Sequence, residues 1–260
     1  MTERERAVIS LVARCRMMTR PQLRRALFTG RSDTVVKRAI DRLVALGLLG
    51  AKRFSPTGYQ VLWCTAKGRA FLVEGGAPAE ELFAARGPVA AKDFQHTFRV
   101  VETAITLMEH GHAGDRLLFA WTLQRLMPTS LVAIPDILCL TGRGHDQAST
   151  AFAVEVDLGG ESLSVIVAKT TRLAQWLASY GRDSTVAILI LTLGARRRAS
   201  MVAALQRASI AVPFAVGDLA IFSAPRADSA SPNLTLACSG GERQHDPHDP
   251  ASSASSPTPI

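Results

Sequence analysis

Paired metal-binding cysteines are missing from this sequence. Its four cysteines, Cys15, Cys64, Cys139 and Cys238, are scattered with no Cys-x-x-Cys spacing, which argues against a zinc ribbon and supplies no disulfide framework. Long apolar runs are missing too. The longest, Val186 to Leu193 broken by Thr192, falls far short of the roughly 20 residues that cross a bilayer as a helix. The opening Met-Thr-Glu-Arg-Glu-Arg is too charged for a secretory signal. A cytoplasmic, reduced protein with no membrane partner is therefore expected. No glycine-rich phosphate loop, Ser-His-Asp order or dinucleotide fingerprint occurs.

What the chain does have is positive charge. Its 260 residues carry a net charge of +8 with a pI near 9.9, which suits a polyanionic partner. The excess is concentrated: up to Arg53 there are 13 Lys and Arg against 4 Asp and Glu, and the remainder is close to neutral. A composition 47% hydrophobic and 20% charged is that of a globular chain with a real core.

Thr2 caps an expected first helix that carries Glu3 and Glu5 in its first turn, where negative charge suits the helix dipole. Val8, Leu11, Val12 and Cys15 give it one apolar face. Thr19-Arg-Pro-Gln22 reads as a second start, with proline early in the first turn, and predicts a short helix from Pro21 to about Phe28. Ser32 or Asp33 opens a third helix, apolar at Val36, Ile40, Leu43 and Val44, which stops at Gly47. Gly50 to Phe54 and Tyr59 to Cys64 then read as a β-hairpin with a basic first strand, and Thr65 to Phe71 as a further helix.

Three helices followed by a hairpin resemble a winged helix-turn-helix unit, and the Thr65-Ala-Lys-Gly68 segment after the wing looks like that of many such proteins. The resemblance implies that the third helix enters a major groove of double-stranded DNA, with Arg31, Thr34, Lys37, Arg38, Asp41 and Arg42 outward and Lys52 and Arg53 on the wing gripping the backbone. The DNA-binding unit is expected over residues 1–73. Residues 74–91 are rich in Gly, Pro and Ala and read as a linker, with Leu82 and Phe83 anchoring a short helical piece.

Residues 92–223 alternate helix and strand. A helix is expected from Lys92 to about His110, buried along Phe94, Phe98, Val101, Ile105 and Met108. Strands follow over Leu117–Leu123, Ala133–Leu140 and Ala151–Asp157, the last two joined by a turn containing Gly142 and Gly144. A long helix to Tyr180, a strand Thr185–Thr192, a helix Arg196–Arg207 and a strand Ile210–Val216 complete an α+β or α/β unit, a mixed sheet with flanking helices. Two of its apolar runs end in carboxylates: Ile134-Pro-Asp136 and Ala151 to Asp157, which contains Glu155. Ionised groups in buried strands are costly unless paired or bound to metal.

This order resembles the PD-(D/E)XK nuclease-like superfamily, with Pro135-Asp136 in place of its first motif and Glu155-Val-Asp157 in place of its second. The resemblance implies Asp136 and Glu155 as ligands of Mg²⁺. Asp157 stands where a lysine is expected, and Lys169 on the following helix is the candidate for a migrated lysine; Asp136, Glu155, Asp157 and Lys169 are the candidate catalytic set. Glu102 sits where some members add an acid. Gln175 and Tyr180 fit either nucleic-acid contacts or ordinary helix surface. A narrower resemblance runs along nearly the whole chain: a winged helix, His96 on a helix, Trp121, Pro135-Asp136 and Glu155-Val-Asp157 followed by Glu161 are similar to the replication-relaxation family of plasmids and mobile elements. It implies that Asp157 is the family's own residue.

His96 itself reads as a packed core histidine, and His110 and His112 as solvated. Residues 224–260, with His245 and His248 near Asp246 and Asp249, read as a disordered tail. Three functions follow. The first is a DNA-binding protein of a mobile element, acting in replication initiation or relaxation with a nuclease-like domain that is not a standard nuclease. It requires no cofactor to bind DNA and is compatible with a homodimer or with replication or mobilisation partners. The second is a Mg²⁺-dependent DNA endonuclease or nickase, and the third a winged-helix transcriptional regulator.

Overall fold

The computed structural model describes residues 1–54, 58–112, 116–127, 133–141, 150–179 and 185–220. The expected tail, the Gly142–Gly144 turn and Tyr180 lie outside these residues.

Helix α1 (Glu3–Arg14) opens with a reciprocal cap, in which Thr2 Oγ1 accepts from the Glu5 amide and Glu5 accepts from the Thr2 amide at 2.8 Å. Helix α2 (Arg20–Leu27) repeats the device with Thr19 and Gln22. Helix α3 (Asp33–Ala45) buries Val36, Ile40 and Leu43 and leaves its opposite side to solvent. Strands β1 (Met18–Thr19), β2 (Leu49–Arg53) and β3 (Gln60–Cys64) form an antiparallel sheet in the order β1-β3-β2.

Helix α4 (Ala66–Glu74) explains the Thr-Ala-Lys-Gly segment in physical terms. Thr65 Oγ1 donates to Gly47 O at 2.7 Å and caps the Gly68 amide at 3.0 Å, while Lys67 Nζ donates to Leu46 O at 2.9 Å. The start of α4 thus satisfies carbonyls left open where α3 ends. Gly68 is required by proximity: a Cβ there would lie 2.2 Å from Leu48 O, a backbone atom with no room to yield. Gly68→Ala is expected to lower stability by about 1–3 kcal/mol through overpacking, read as a fall in the urea midpoint at unchanged m-value.

Residues 74–91 are tied down. A 3₁₀ turn spans Ala79–Glu81, Leu82 is fully buried, and the Phe83 amide donates to Ala13 O at 2.9 Å. Glu81 is buried between Arg14, at 3.2 Å, and Arg116, at 2.5 Å.

Beyond them come α5 (Ala91–Glu109), β4 (Arg116–Phe119), α6 (Ala120–Leu126), β5 (Ile137–Thr141), β6 (Thr150–Asp157), α7 (Leu163–Ala178), β7 (Thr185–Thr192), α8 (Ala195–Arg207) and β8 (Phe214–Asp218). The chain is therefore α+β, with a helical N-terminal region and a mixed five-stranded sheet in the order β4-β5-β6-β7-β8. Its β4-β5 and β5-β6 pairs are antiparallel and its β6-β7 and β7-β8 pairs parallel.

Three expectations are corrected. The run Leu117–Leu123 is strand only to Phe119; from Ala120 it is helix, because the Ala120 amide turns onto Asp136 O and the Trp121 indole donates to Arg14 O at 2.8 Å. The strands expected to start at Ala133 and Ile210 start at Ile137 and Phe214. Met108 is exposed, whereas α5 is buried on nearly every side from Val100 to Leu107. That helix is packed by α2 on one flank and by the sheet on the other: Gln22 Nε2 donates to Glu102 at 3.0 Å and Arg25 pairs with both Glu102 and Glu109. One apolar cluster runs from Val8 and Ile40 through Ile105 to Val154 and Leu191.

Candidate carboxylate–lysine site and cationic face

Strand register brings the two carboxylate motifs together. Ile137 pairs with Val154, so Asp136 lies beside Glu155 at the end of the β5–β6 ladder. Asp136 is fixed by the Val156 amide, which donates to its Oδ2 at 2.8 Å. Helix α7, capped by the Ser162 hydroxyl, crosses the face of β6 that carries Glu155, and Lys169 Nζ donates to Glu155 Oε2 at 2.6 Å. These groups line a cavity of about 240 Å³ with His96, Gly160 and Glu161 at its wall. Asp136, Glu155 and Lys169 are thus one constellation.

His96 is corrected. Far from being a packed core residue, its side chain is 46% exposed and its Nε2 lies 3.3 Å from Asp136 Oδ2. The hydrogen bond to Asp136 raises the imidazole pKa against the opposing effect of burial. Local periodicity on α5 does not mark it; its place among the motifs of the family resemblance is the one signal the sequence carries.

The electrostatics of Glu155 are unusual. Burial, reinforced by the charge of Asp136, pushes its pKa up to about 8, and the Lys169 ammonium pulls it down without cancelling that rise. Burial alone would lower Lys169, but the charges of Glu155 and Asp136 outweigh it and hold the ammonium on. Glu155 Oε1 is buried and has no hydrogen-bond partner among the described residues. A buried acceptor left open in this way carries a desolvation cost that a bound cation or donor would remove.

Asp157 borders the same cavity, but its oxygens are already committed. Oδ2 accepts from Thr192 Oγ1 at 2.7 Å and from Arg197 Nε at 2.5 Å, and Oδ1 accepts from Arg197 at 2.9 Å and from the Gly159 amide at 2.9 Å. Burial opposes ionisation of Asp157, yet these bonds prevail and its pKa lies below the ordinary value. Glu102 does not line the cavity: Gln22 and Arg25 hold it at the α2–α5 contact. Gln175 is exposed on α7. Among the described residues no three His, Cys, Asp or Glu side chains form a ready metal site.

The cationic residues of the N-terminal unit divide into two groups. Arg31, Thr34 and Arg38 are exposed at the start and outer side of α3, and Lys52 and Arg53 are exposed on β2; among the described residues none of the four cations has an ion pair. Lys37 instead pairs with Asp41 at 2.6 Å, and Arg42 with the buried Glu5 at 3.2 Å. No helix among the described residues is long and apolar enough to cross a membrane.

Fold and site together define an α+β protein with an exposed cationic helix–hairpin unit and a carboxylate–lysine pocket at the end of the central strand of a mixed sheet. Residues 9–186, more than half of the chain, match the family model described as replication-relaxation. The chain belongs to the replication-relaxation family, and this membership points to a role in plasmid or mobile-element replication. A comparison with curated proteins finds no match.

Proposed function

We propose that the protein binds double-stranded DNA of a plasmid or other mobile element through its N-terminal unit, used as a winged helix-turn-helix, and acts there in replication initiation or relaxation. The observation that carries this reading is a set of exposed cations just before α3, on α3 and on β2 that have no ion pair among the described residues: Arg31, Arg38, Lys52 and Arg53. Arginine forks read guanine edges and lysines neutralise phosphates. The α2–α5 packing leaves the outer side of α3 open. The test is a gel-shift titration with duplex from the element's replication region at several salt concentrations. Affinity that falls steeply with salt supports the reading; no binding at low salt removes it.

A second reading, a Mg²⁺-dependent DNA nickase or endonuclease, is favoured by the 2.6 Å contact between Lys169 and Glu155. It supplies from α7 the cation that Asp157 cannot, in the manner of a PD-(D/E)XK-like site with a displaced lysine. The donor set suits a hard cation: two carboxylates, one with an open buried oxygen, leave the remaining positions to water and phosphate, as Mg²⁺ prefers. Asp136 and Glu155 would hold the ion, whose chemistry is to polarise a phosphate and acidify a water. Lys169 orients Glu155 and places positive charge where a phosphate oxygen gains negative charge. His96 is held by Asp136 through Nε2 and helps to fix that carboxylate at the cavity wall. Supercoiled plasmid nicked by the wild type in Mg²⁺, and left intact by Asp136→Asn and by Lys169→Met, supports this reading. Nicking retained by both variants removes it.

A further inference from the structure

The hairpin and the carboxylate pocket meet on opposite sides of one helix. Phe54 and Tyr59, at the two inner ends of the hairpin turn, stack on α5: Phe54 on Phe94 with ring centroids 4.0 Å apart, and Tyr59 on Phe98 at 5.9 Å. At 100° per residue, Phe94 and Phe98 share one side of the helix and His96 points to the other. There its imidazole reaches Asp136 at 3.3 Å. The hairpin is thus separated from the pocket mouth by the width of α5.

Between them runs an exposed polar strip. Lys92, Gln95, His96 and Arg99 follow the i, i+3, i+4, i+7 spacing of one helix face. Lys92, Gln95 and His96 are exposed, whereas Thr97, Val100 and Val101, on the other way round the helix, are buried. Lys92 and Gln95 have no side-chain partner among the described residues, and the Arg99 guanidinium lies 5.8 Å over the Phe98 ring beside the Tyr59 stack. The strip bears no acid; Phe54, next to Arg53, stacks on its helix, and its His96 lines the same cavity as Lys169.

We infer that the α5 strip is a third DNA contact, which carries the phosphate backbone of the same duplex from the hairpin to the Asp136–Glu155–Lys169 pocket. A helix with its side chains is about 10–12 Å across, and duplex DNA rises about 3.4 Å per base pair. The pocket then faces a phosphate about three or four base pairs beyond the hairpin contact. The inference rests on the DNA-binding reading and adds that helix–hairpin unit and pocket act on one DNA molecule.

Hydroxyl-radical footprinting of the full chain tests it, comparing wild type, Lys92→Ala/Gln95→Ala and Arg38→Ala on the same duplex, with folding checked by circular dichroism. The α5 double variant is expected to lose protection over about three or four base pairs at the hairpin end only, to bind about tenfold more weakly, and to show a salt slope reduced by about one for the lost lysine–phosphate contact. Arg38→Ala is expected to weaken binding with that end of the footprint unchanged in position. If the α5 variant keeps the wild-type footprint and slope, the inference is overturned while DNA binding stands. If the wild type protects nothing, the DNA-binding reading falls and the inference with it.

Discussion

Alanine at both Arg31 and Arg38 is expected to lower the affinity for duplex DNA by roughly a hundredfold or more, at about 1–3 kcal/mol for each arginine that reads a base edge. Both side chains are exposed and neither is held by an acid among the described residues, so their full donor sets are available to DNA. Lys37 is a weaker probe because Asp41 already neutralises it at 2.6 Å. Arg42 is a confounded one, since its removal also takes away the ion pair of the buried Glu5. The double variant should keep its thermal midpoint, because exposed arginines without partners contribute little to stability. Gel shift and calorimetry on one preparation separate lost recognition from lost fold.

The second large effect is on stability and its pH dependence. Glu155 has a folded pKa of about 8, against roughly 4.3 in an unfolded chain. Between those values the folded protein holds a proton that the unfolded chain has released, so this residue makes stability fall as pH rises through that window. Glu155→Gln removes the burden. The variant is expected to match the wild type near pH 4.5 and to exceed it at pH 8 by a few kcal/mol, or about 5–10 °C in a chain of this size. On the Mg²⁺-dependent reading, the ion at pH 8 raises the wild-type midpoint and leaves that of the variant nearly unchanged, since a cation that binds the ionised pair stabilises only the fold that owns it. Thermal scans at two pH values, with and without Mg²⁺, check both statements. A wild type indifferent to pH between 5 and 8 would contradict the first.

Much of the fold was legible because it is encoded locally. Thr2 with Glu5 and Thr19 with Gln22 are capping pairs three residues apart, and both form. The strand Thr185–Thr192 is a continuous apolar run, as a strand buried in parallel pairing must be. The Leu117–Leu123 run misled because its apolar character continues past the point where Trp121 leaves the sheet to reach Arg14 O. A partner 107 residues away leaves no mark on local periodicity.

The site divides in the same way. Asp136 and Glu155 could be proposed together because two carboxylates ending apolar runs form a visible anomaly, and Lys169 because one helix can reach back 14 residues. The commitment of Asp157 to Arg197 could not be read, since the two are 40 residues apart and only the β6–β7–α8 packing joins them. His96 was hidden for a related reason. On a helix with so many apolar neighbours it reads as core, and only the strand pairing that sets Asp136 beside Glu155 shows which of its sides faces a cavity.

The most direct test of the central claim, that the exposed cations of the N-terminal unit bind DNA of a replicating element, is a footprint of the full chain across that element's replication region, repeated at rising salt. The account predicts a discrete protected site that fades steeply with salt and disappears in the Arg31→Ala/Arg38→Ala variant. Absence of protection at low salt, or protection that the double variant retains in full, would contradict it.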